Sequence, residues 1–205
     1  MEKGLFITIE GPDGSGKSTQ IDRIREFFES RGYETLSTRE PGGTEIGEKI
    51  REILLDKGNV AMQPMTEALL YAASRAQLVS QVIKPALSEG KVVICDRFID
   101  SSIAYQGYGR GLGDSVRAIN EYAVAGCMPD VTFLMKLAPD IGKGRIKRED
   151  ADRLELEALQ FHREVYRGYL EIEKLYPERV VGIDAGRGIE EIAADIKNRL
   201  MQLIS

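Results

Sequence analysis

The run Leu5-Phe6-Ile7-Thr8-Ile9 leads, through Glu10, into Gly11-Pro12-Asp13-Gly14-Ser15-Gly16-Lys17-Ser18. No other feature of the chain limits its fold so tightly. The second segment matches G-x-x-x-x-G-K-[ST], a loop that works only between a strand and a helix. Its glycines let backbone N–H groups turn toward phosphate oxygens, and the helix that follows adds its positive N-terminus. Both flanks are present. The first run is short, apolar and β-branched, as a buried strand requires. After the loop, Ile21, Ile24, Phe27 and Phe28 keep helical spacing, and Gly32 offers a stop. Gly11 to Ser18, with Thr19, is therefore expected to hold the phosphates of a nucleoside triphosphate such as ATP. Lys17 would reach the β- and γ-phosphates, and Ser18 would offer its hydroxyl to Mg²⁺.

The rest of the chain continues the alternation. Strands are expected at Thr35 to Thr38, Val92 to Cys95, Val131 to Leu137 and Val180 to Ile183. Helices are expected around Ile46, Ile50, Ile53 and Leu54, after Pro64, over Ile119 to Ala125, and roughly over 140–148 and 155–174. The helix after Pro64 shows Leu69, Leu70, Ala73 and Val82 on its apolar side. A last helix carries Ile189, Ile192, Ile196, Leu200 and Leu203. Strands alternating with helices argue for an α/β fold, with a central parallel sheet of about five strands and helices on both faces. Ligands then bind beyond the carboxyl ends of the strands. The 205 residues suit a single domain spanning 1–205.

A formal net charge of −5 argues against a broad nucleic-acid or anionic-membrane surface. Phosphate ligands must instead meet local basic clusters. Cys95 and Cys127 lie far apart without metal-ligand spacing, which suits a reducing, cytoplasmic setting. Neither a signal peptide nor an apolar run of membrane-spanning length is evident.

Several segments then propose a second substrate. Asp96 closes an apolar strand, where an acid would hold Mg²⁺ directly or through water; a strand-end cap is the plainer alternative. Arg97 beside it could fork onto a phosphate or pair with Asp96. Arg39 follows a strand, and Pro41-Gly42-Gly43 sets a tight turn that can hold an arginine against an anion. Tyr71 and Arg75 share one helical face, either as core or as a platform for a flat ring. Tyr105 and Tyr108 fall in a glycine-rich stretch that reads as a loop. Gly142 to Arg153 carries Lys143, Arg145, Lys147, Arg148 and Arg153 among Glu149, Asp150 and Asp152. This is either a solvated helix end or a mobile lid over ATP. His162, the only histidine, reads as structural.

Taken in order, these motifs resemble the thymidylate kinases. The resemblance rests on Thr38-Arg39-Glu40-Pro41-Gly42-Gly43-Thr44, Leu69 to Gln77, Asp96-Arg97-Phe98, Tyr105-Gln106-Gly107 and Asp152-Arg153. It implies transfer of the γ-phosphoryl group of ATP to dTMP, with Mg²⁺, by a cytoplasmic homodimer. It also implies roles. Asp13 would face the acceptor sugar, and Arg39 and Arg97 would bind the dTMP phosphate. Tyr71, where the family usually has Phe, would stack on thymine, and Arg75 would bond its carbonyl edge. Ser101, Ser102 and Gln106 would line the base pocket, and Tyr105 would crowd the sugar's 2′ position. Arg145 would lie near the adenine. The four variable loop positions, Pro12 to Ser15, hold no basic residue, so the transition-state arginine is expected from the lid: Arg148 first, Arg153 second. Two rivals stand beside this reading. One is another kinase of the same fold; a hydroxyl acceptor would call for a carboxylate base, Asp96 or Glu10. The other is a switch GTPase, against which the missing Asn-Lys-x-Asp segment counts.

Overall fold

The computed structural model describes residues 4–143 and 152–204. Five strands form one parallel sheet: β1 (Leu5–Glu10), β2 (Thr35–Arg39), β3 (Val92–Asp96), β4 (Val131–Lys136) and β5 (Val180–Asp184). Their spatial order is β2-β3-β1-β4-β5. All five expected strands are present, and the sequence pattern explains their burial on both faces. Along β1, Phe6 faces one core while Ile7 and Ile9 face the other. On β3, Val93 and Cys95 are likewise set against Val92 and Ile94. This is the two-residue period of a strand, filled with apolar side chains on each side.

The helices are α1 (Lys17–Glu29), α2 (Glu45–Leu55), α3 (Pro64–Leu78), α4 (Lys84–Ser88), α5 (Ile99–Ser102), α6 (Asp114–Val124), α7 (Pro139–Lys143), α8 (Leu159–Leu175) and α9 (Ile189–Leu203). A π-helical turn, Val79–Ile83, joins α3 to α4, and a second, Ile103–Gly109, extends α5. On one face of the sheet, Ile24, Phe27 and Phe28 of α1 pack with Ile192, Ile196 and Leu200 of α9. The other face carries the π-helical turns with α8, through Ile103, Phe161, Val165 and Tyr169. Two local signals set helix starts: Pro64 occupies the first position of α3, and Thr44 Oγ1 accepts from Gly47 N at 2.9 Å to cap α2.

Three expectations need correction. Tyr105 and Tyr108 lie in a π-helical segment, not a loop. Two glycines serve close packing there: a Cβ on Gly109 would sit 2.7 Å from Phe161 Cε2, and one on Gly168 of α8 would sit 2.8 Å from the Tyr108 ring. Secondly, Leu69 and Ala73 are exposed, whereas Ala68, Ala72, Ser74, Arg75 and Leu78 are buried. Small residues let α3 approach its neighbours, and an arginine whose two Nη atoms are hydrogen-bonded occupies the inner face that the pattern gave to leucine. Thirdly, the helix expected from 155 starts at Leu159, after turns through Glu155 to Glu157. The expected 140–148 helix is seen as Pro139–Lys143, and its remainder lies outside the described residues.

Candidate active site

The glycine-rich loop leaves β1 at the carboxyl edge of the sheet. Gly11 has φ +135°, and a Cβ there would lie 2.5 Å from Met135 O on β4, so only glycine fits. Gly16 at φ +85° makes the left-handed step into α1. Lys17 opens that helix. Its ammonium donates to Gly11 O (3.2 Å) and Pro12 O (3.0 Å) and lies 3.6 Å from Asp13 Oδ1. Burial and the Arg97 charge lower its pKa to about 8 against the pull of Asp13, Asp96 and Glu10. It stays protonated at neutral pH. Ser18 and Thr19 are exposed on the rim, and Ser15 is buried beneath the loop.

Beside the loop opens a cleft of about 520 Å³. The register explains why one cleft gathers so many of the expected residues. Arg39 pairs with Asp96 across β2 and β3, and Asp96 pairs with Ile9 across β3 and β1. The three strands therefore end side by side. Asp13, Lys17, Ser18, Thr19, Arg39, Tyr71, Arg75, Asp96, Arg97, Ser101, Ser102, Tyr105 and Gln106 all line it.

Asp96 Oδ1 is buried without a hydrogen-bond partner among the described residues. It shares the cleft with the Ser18 hydroxyl. One carboxylate oxygen and one hydroxyl are hard donors that suit Mg²⁺, which keeps waters and takes the rest of its shell from phosphates. Among the described residues no group of three or more His, Cys, Asp or Glu could hold a metal by itself. The residues present thus fit a phosphate-borne Mg²⁺.

Arg97 does not pair with Asp96. Its guanidinium is hydrogen-bonded to Asp13 and donates to Ser101 Oγ (3.2 Å) and Tyr169 OH (3.1 Å). It also lies 5.2 Å from the centre of the Tyr105 ring. Its φ of +66° is a left-handed backbone that costs about 1–2 kcal/mol in a non-glycine residue. Such strain needs support. Glu10 supplies it: Oε1 accepts from Phe98 N (2.7 Å) and Ser101 N (3.2 Å), and Oε2 accepts from Tyr169 OH (3.0 Å). Burial, with Asp100 nearby, pushes Glu10 up to about 7. Asp13 goes the other way. Burial opposes its ionisation, but the charges of Arg97 and Lys17 hold it below the usual carboxylate range. Tyr105 OH donates to Asp13 Oδ2 at 3.2 Å.

At the far end, Tyr71 and Arg75 project from α3 one turn apart. Arg75 is 1% exposed and is held on all sides: Glu40 Oε2 (2.5 Å), Phe98 O (3.0 Å), Ser102 Oγ (3.0 Å) and Asn120 Oδ1. Only its Nε lacks a partner among the described residues. Arg39 is less committed than expected. It is half exposed on the rim and pairs with Glu48 at 2.8 Å. Arg51 also lines the cleft, anchored to Pro41 O at 2.9 Å. Nothing in the sequence pattern separates Arg51 from an ordinary surface charge on α2. Glu40 and Glu67 were equally unmarked, because burial of a carboxylate depends on distant partners.

Arg153 is drawn away from the loop. It donates to Leu54 O (2.9 Å) and Glu67 Oε2 (2.7 Å), while its neighbours Asp152, Leu154 and Glu155 line the cleft. Arg145 and Arg148 lie outside the described residues. His162 packs edge-on against Phe161, 5.5 Å between ring centres.

The cleft thus joins a phosphate loop to a second chamber with an aromatic face, a buried donor and rim arginines. Such a cleft can hold two phosphorylated ligands end to end. Known proteins point the same way. The thymidylate kinase family model matches residues 9–196. The thymidylate kinase of Clostridium novyi (strain NT) is 50% identical over 204 residues, covering 98% of this chain and all of the relative. That of Exiguobacterium sp. (strain ATCC BAA-1283 / AT1b) is 52% identical, covering 94% of this chain and 92% of the relative. The crystal structure of thymidylate kinase from Ehrlichia chaffeensis superposes with a TM-score of 0.79 at 33% identity, over 98% of this chain and 99% of that one.

Proposed function

The chain belongs to the thymidylate kinase family and phosphorylates dTMP with ATP, giving dTDP and ADP; we propose that the cleft divides this work between the loop and the chamber beside it. The observation that carries the division is Arg97, which pairs with Asp13 of the loop and lines the same cleft as Tyr71 and Arg75. In this reading the dTMP phosphate meets Arg97, with Arg39 at the rim. Thymine lies on Tyr71 with a carbonyl toward Arg75. Ser101, Ser102 and Gln106 close the base pocket, and Tyr105 stands at the sugar's 2′ position. ATP places its phosphates over Gly11 to Thr19. An oxygen of the dTMP phosphate attacks the γ-phosphorus, and the bond from that phosphorus to the β–γ bridging oxygen breaks. The attacking oxygen is already anionic at neutral pH, so no general base is needed. Positioning and charge neutralisation carry the step. Lys17 meets the charge that builds on the β- and γ-phosphates. Ser18 and Asp96 would hold Mg²⁺, Asp96 directly or through water, and that ion would neutralise phosphate charge.

We read residues 1–205 as one kinase domain with a lid at about 142–153. In this reading Arg145 lies by the adenine and Arg148 supplies the transition-state charge. The loop composition supports this, since Pro12 to Ser15 include no basic residue. A homodimer is supported by exposed apolar residues on two helices that pack together: Ile46 and Ile53 on α2, Met65 and Leu69 on α3. A cytoplasmic setting is supported by Cys95 and Cys127, buried cysteines that are not joined in a disulfide. No helix among the described residues is long and apolar enough to cross a membrane. The test is ADP release with dTMP or thymidine as acceptor. Turnover should depend on dTMP; equal turnover with thymidine would replace this mechanism with one needing a carboxylate base.

A further inference from the structure

Glu67 is 1% exposed, and no step of phosphoryl transfer uses its carboxylate. It sits on α3 one turn before Tyr71. Four donors converge on it: Arg110 Nε (3.2 Å) and Gln106 Nε2 (2.9 Å) on Oε1, and Arg110 Nη2 (3.0 Å) and Arg153 Nη2 (2.7 Å) on Oε2. Burial would raise its pKa, but the hydrogen bonds from Arg110 and Gln106 prevail and hold it below the usual value. An ionised carboxylate only accepts hydrogen bonds. The Gln106 amide therefore has one allowed orientation. Its NH₂ gives one hydrogen to Glu67, and Oε1 lies on the other side of the amide carbon. Gln106 is itself 1% exposed and lines the cleft with Tyr71, Arg75 and Ser102.

We propose that Glu67 is a positioning residue that sets base specificity, by locking Gln106 as a hydrogen-bond acceptor toward the acceptor nucleotide. Arg75 can only donate, and its Nε is unpartnered among the described residues. The chamber then offers one donor and one acceptor. That pair matches a carbonyl beside a ring N–H, the imide edge shared by thymine and uracil. Cytosine presents an unprotonated ring nitrogen instead, and two acceptors would face each other without a proton. This inference rests on the placement of the dTMP base proposed above.

The test compares dissociation constants of dTMP, dUMP and dCMP in the full-length wild type, Glu67→Gln and Gln106→Met. In Glu67→Gln the Gln106 amide is free to turn. The preference for dTMP over dCMP should fall at least about tenfold, the effect of one buried hydrogen bond. The dTMP-to-dUMP ratio and the ATP affinity should hold, because both pyrimidines carry the ring N–H. A Glu67→Gln protein of lower melting temperature with the dTMP-to-dCMP preference intact would show a structural role only and overturn the proposal. Gln106→Met separates the two layers. If it leaves dTMP affinity and dCMP rejection as in wild type, the base does not lie there, and both readings fall. If it alters them while Glu67→Gln does not, only the positioning role falls. A further measurement needs no variant to fold. In wild type the Gln106 carboxamide protons should exchange slowly by NMR with or without dTMP; exchange at the rate of exposed glutamines would overturn the clamp.

Discussion

Replacing Arg75 by Ala should damage the fold as well as the binding of dTMP. Arg75 is buried to 1% and answers Glu40, Asn120, Ser102 and the Phe98 carbonyl. Removing one member of a buried ion pair costs about 3–5 kcal/mol, because the other charge is stranded. The Asn120 and Phe98 oxygens lose donors at about 1–3 kcal/mol each where water cannot follow. A loss of at least about 4 kcal/mol is expected, a large part of a net stability of about 5–15 kcal/mol. In a chain this long that lowers Tm by at least about 8 °C. The pH dependence identifies the cause. Burial already pushes Glu40 up to about 7 against the pull of Arg75. A carboxyl whose folded pKa lies above its unfolded value gives stability that is full below about 4.5 and lost as pH rises through the folded pKa. Without Arg75 the folded pKa climbs further, so the variant should be less impaired at pH 5 than at pH 8. Urea denaturation at both pH values measures this, and adding Glu40→Gln should recover at least about 1 kcal/mol at pH 8. On protein kept folded, dTMP should bind about ten- to a hundredfold more weakly while ATP holds. A loss of stability under about 1 kcal/mol, with no pH dependence, would refute the buried-hub reasoning.

Lys17→Ala should leave a folded protein with almost no turnover, the loss falling on kcat; near-normal kcat would remove the loop lysine from the mechanism. Arg148→Ala with Arg153→Ala should cut kcat at least about a hundredfold with little change in the KM for dTMP. Because Arg153 is held by Glu67 and Leu54 O, Arg148→Ala alone should account for most of that loss; a double variant within tenfold of wild type would end the lid-arginine reading. Glu10→Gln should flatten stability against pH. Glu10 is raised from 4.5 to about 7, so the wild type loses about 3 kcal/mol from this group between those values. Denaturation at pH 5 and pH 8 reads the difference, and equal slopes in variant and wild type would contradict the assignment.

The sheet and the phosphate loop were legible because both are local. A two-sided apolar run reads as a parallel strand wherever it lies, and Gly11 to Ser18 carries its own backbone requirements. The elements read wrongly were those whose residues answer to partners far along the chain. The glycine-rich stretch around Tyr105 and Tyr108 reads as a loop, yet the missing side chain of Gly109 makes room for Phe161. The leucines after Pro64 looked like core, yet α3 turns Ala68, Ala72 and Arg75 inward because Glu40, Asn120 and Ser102 wait there to satisfy the arginine. Composition and spacing cannot disclose whether a charge will be buried, since its desolvation is offset only by groups that folding delivers. The sequence by itself thus determined the parallel sheet, the glycine-rich loop between β1 and α1, and the family. Only the tertiary structure decided which arginines line the cleft, which are held by protein acceptors, and that the Gln106 amide donates to Glu67. Those outcomes depend on donor and acceptor geometry across 27 to 86 positions of chain, a separation at which no local pattern survives.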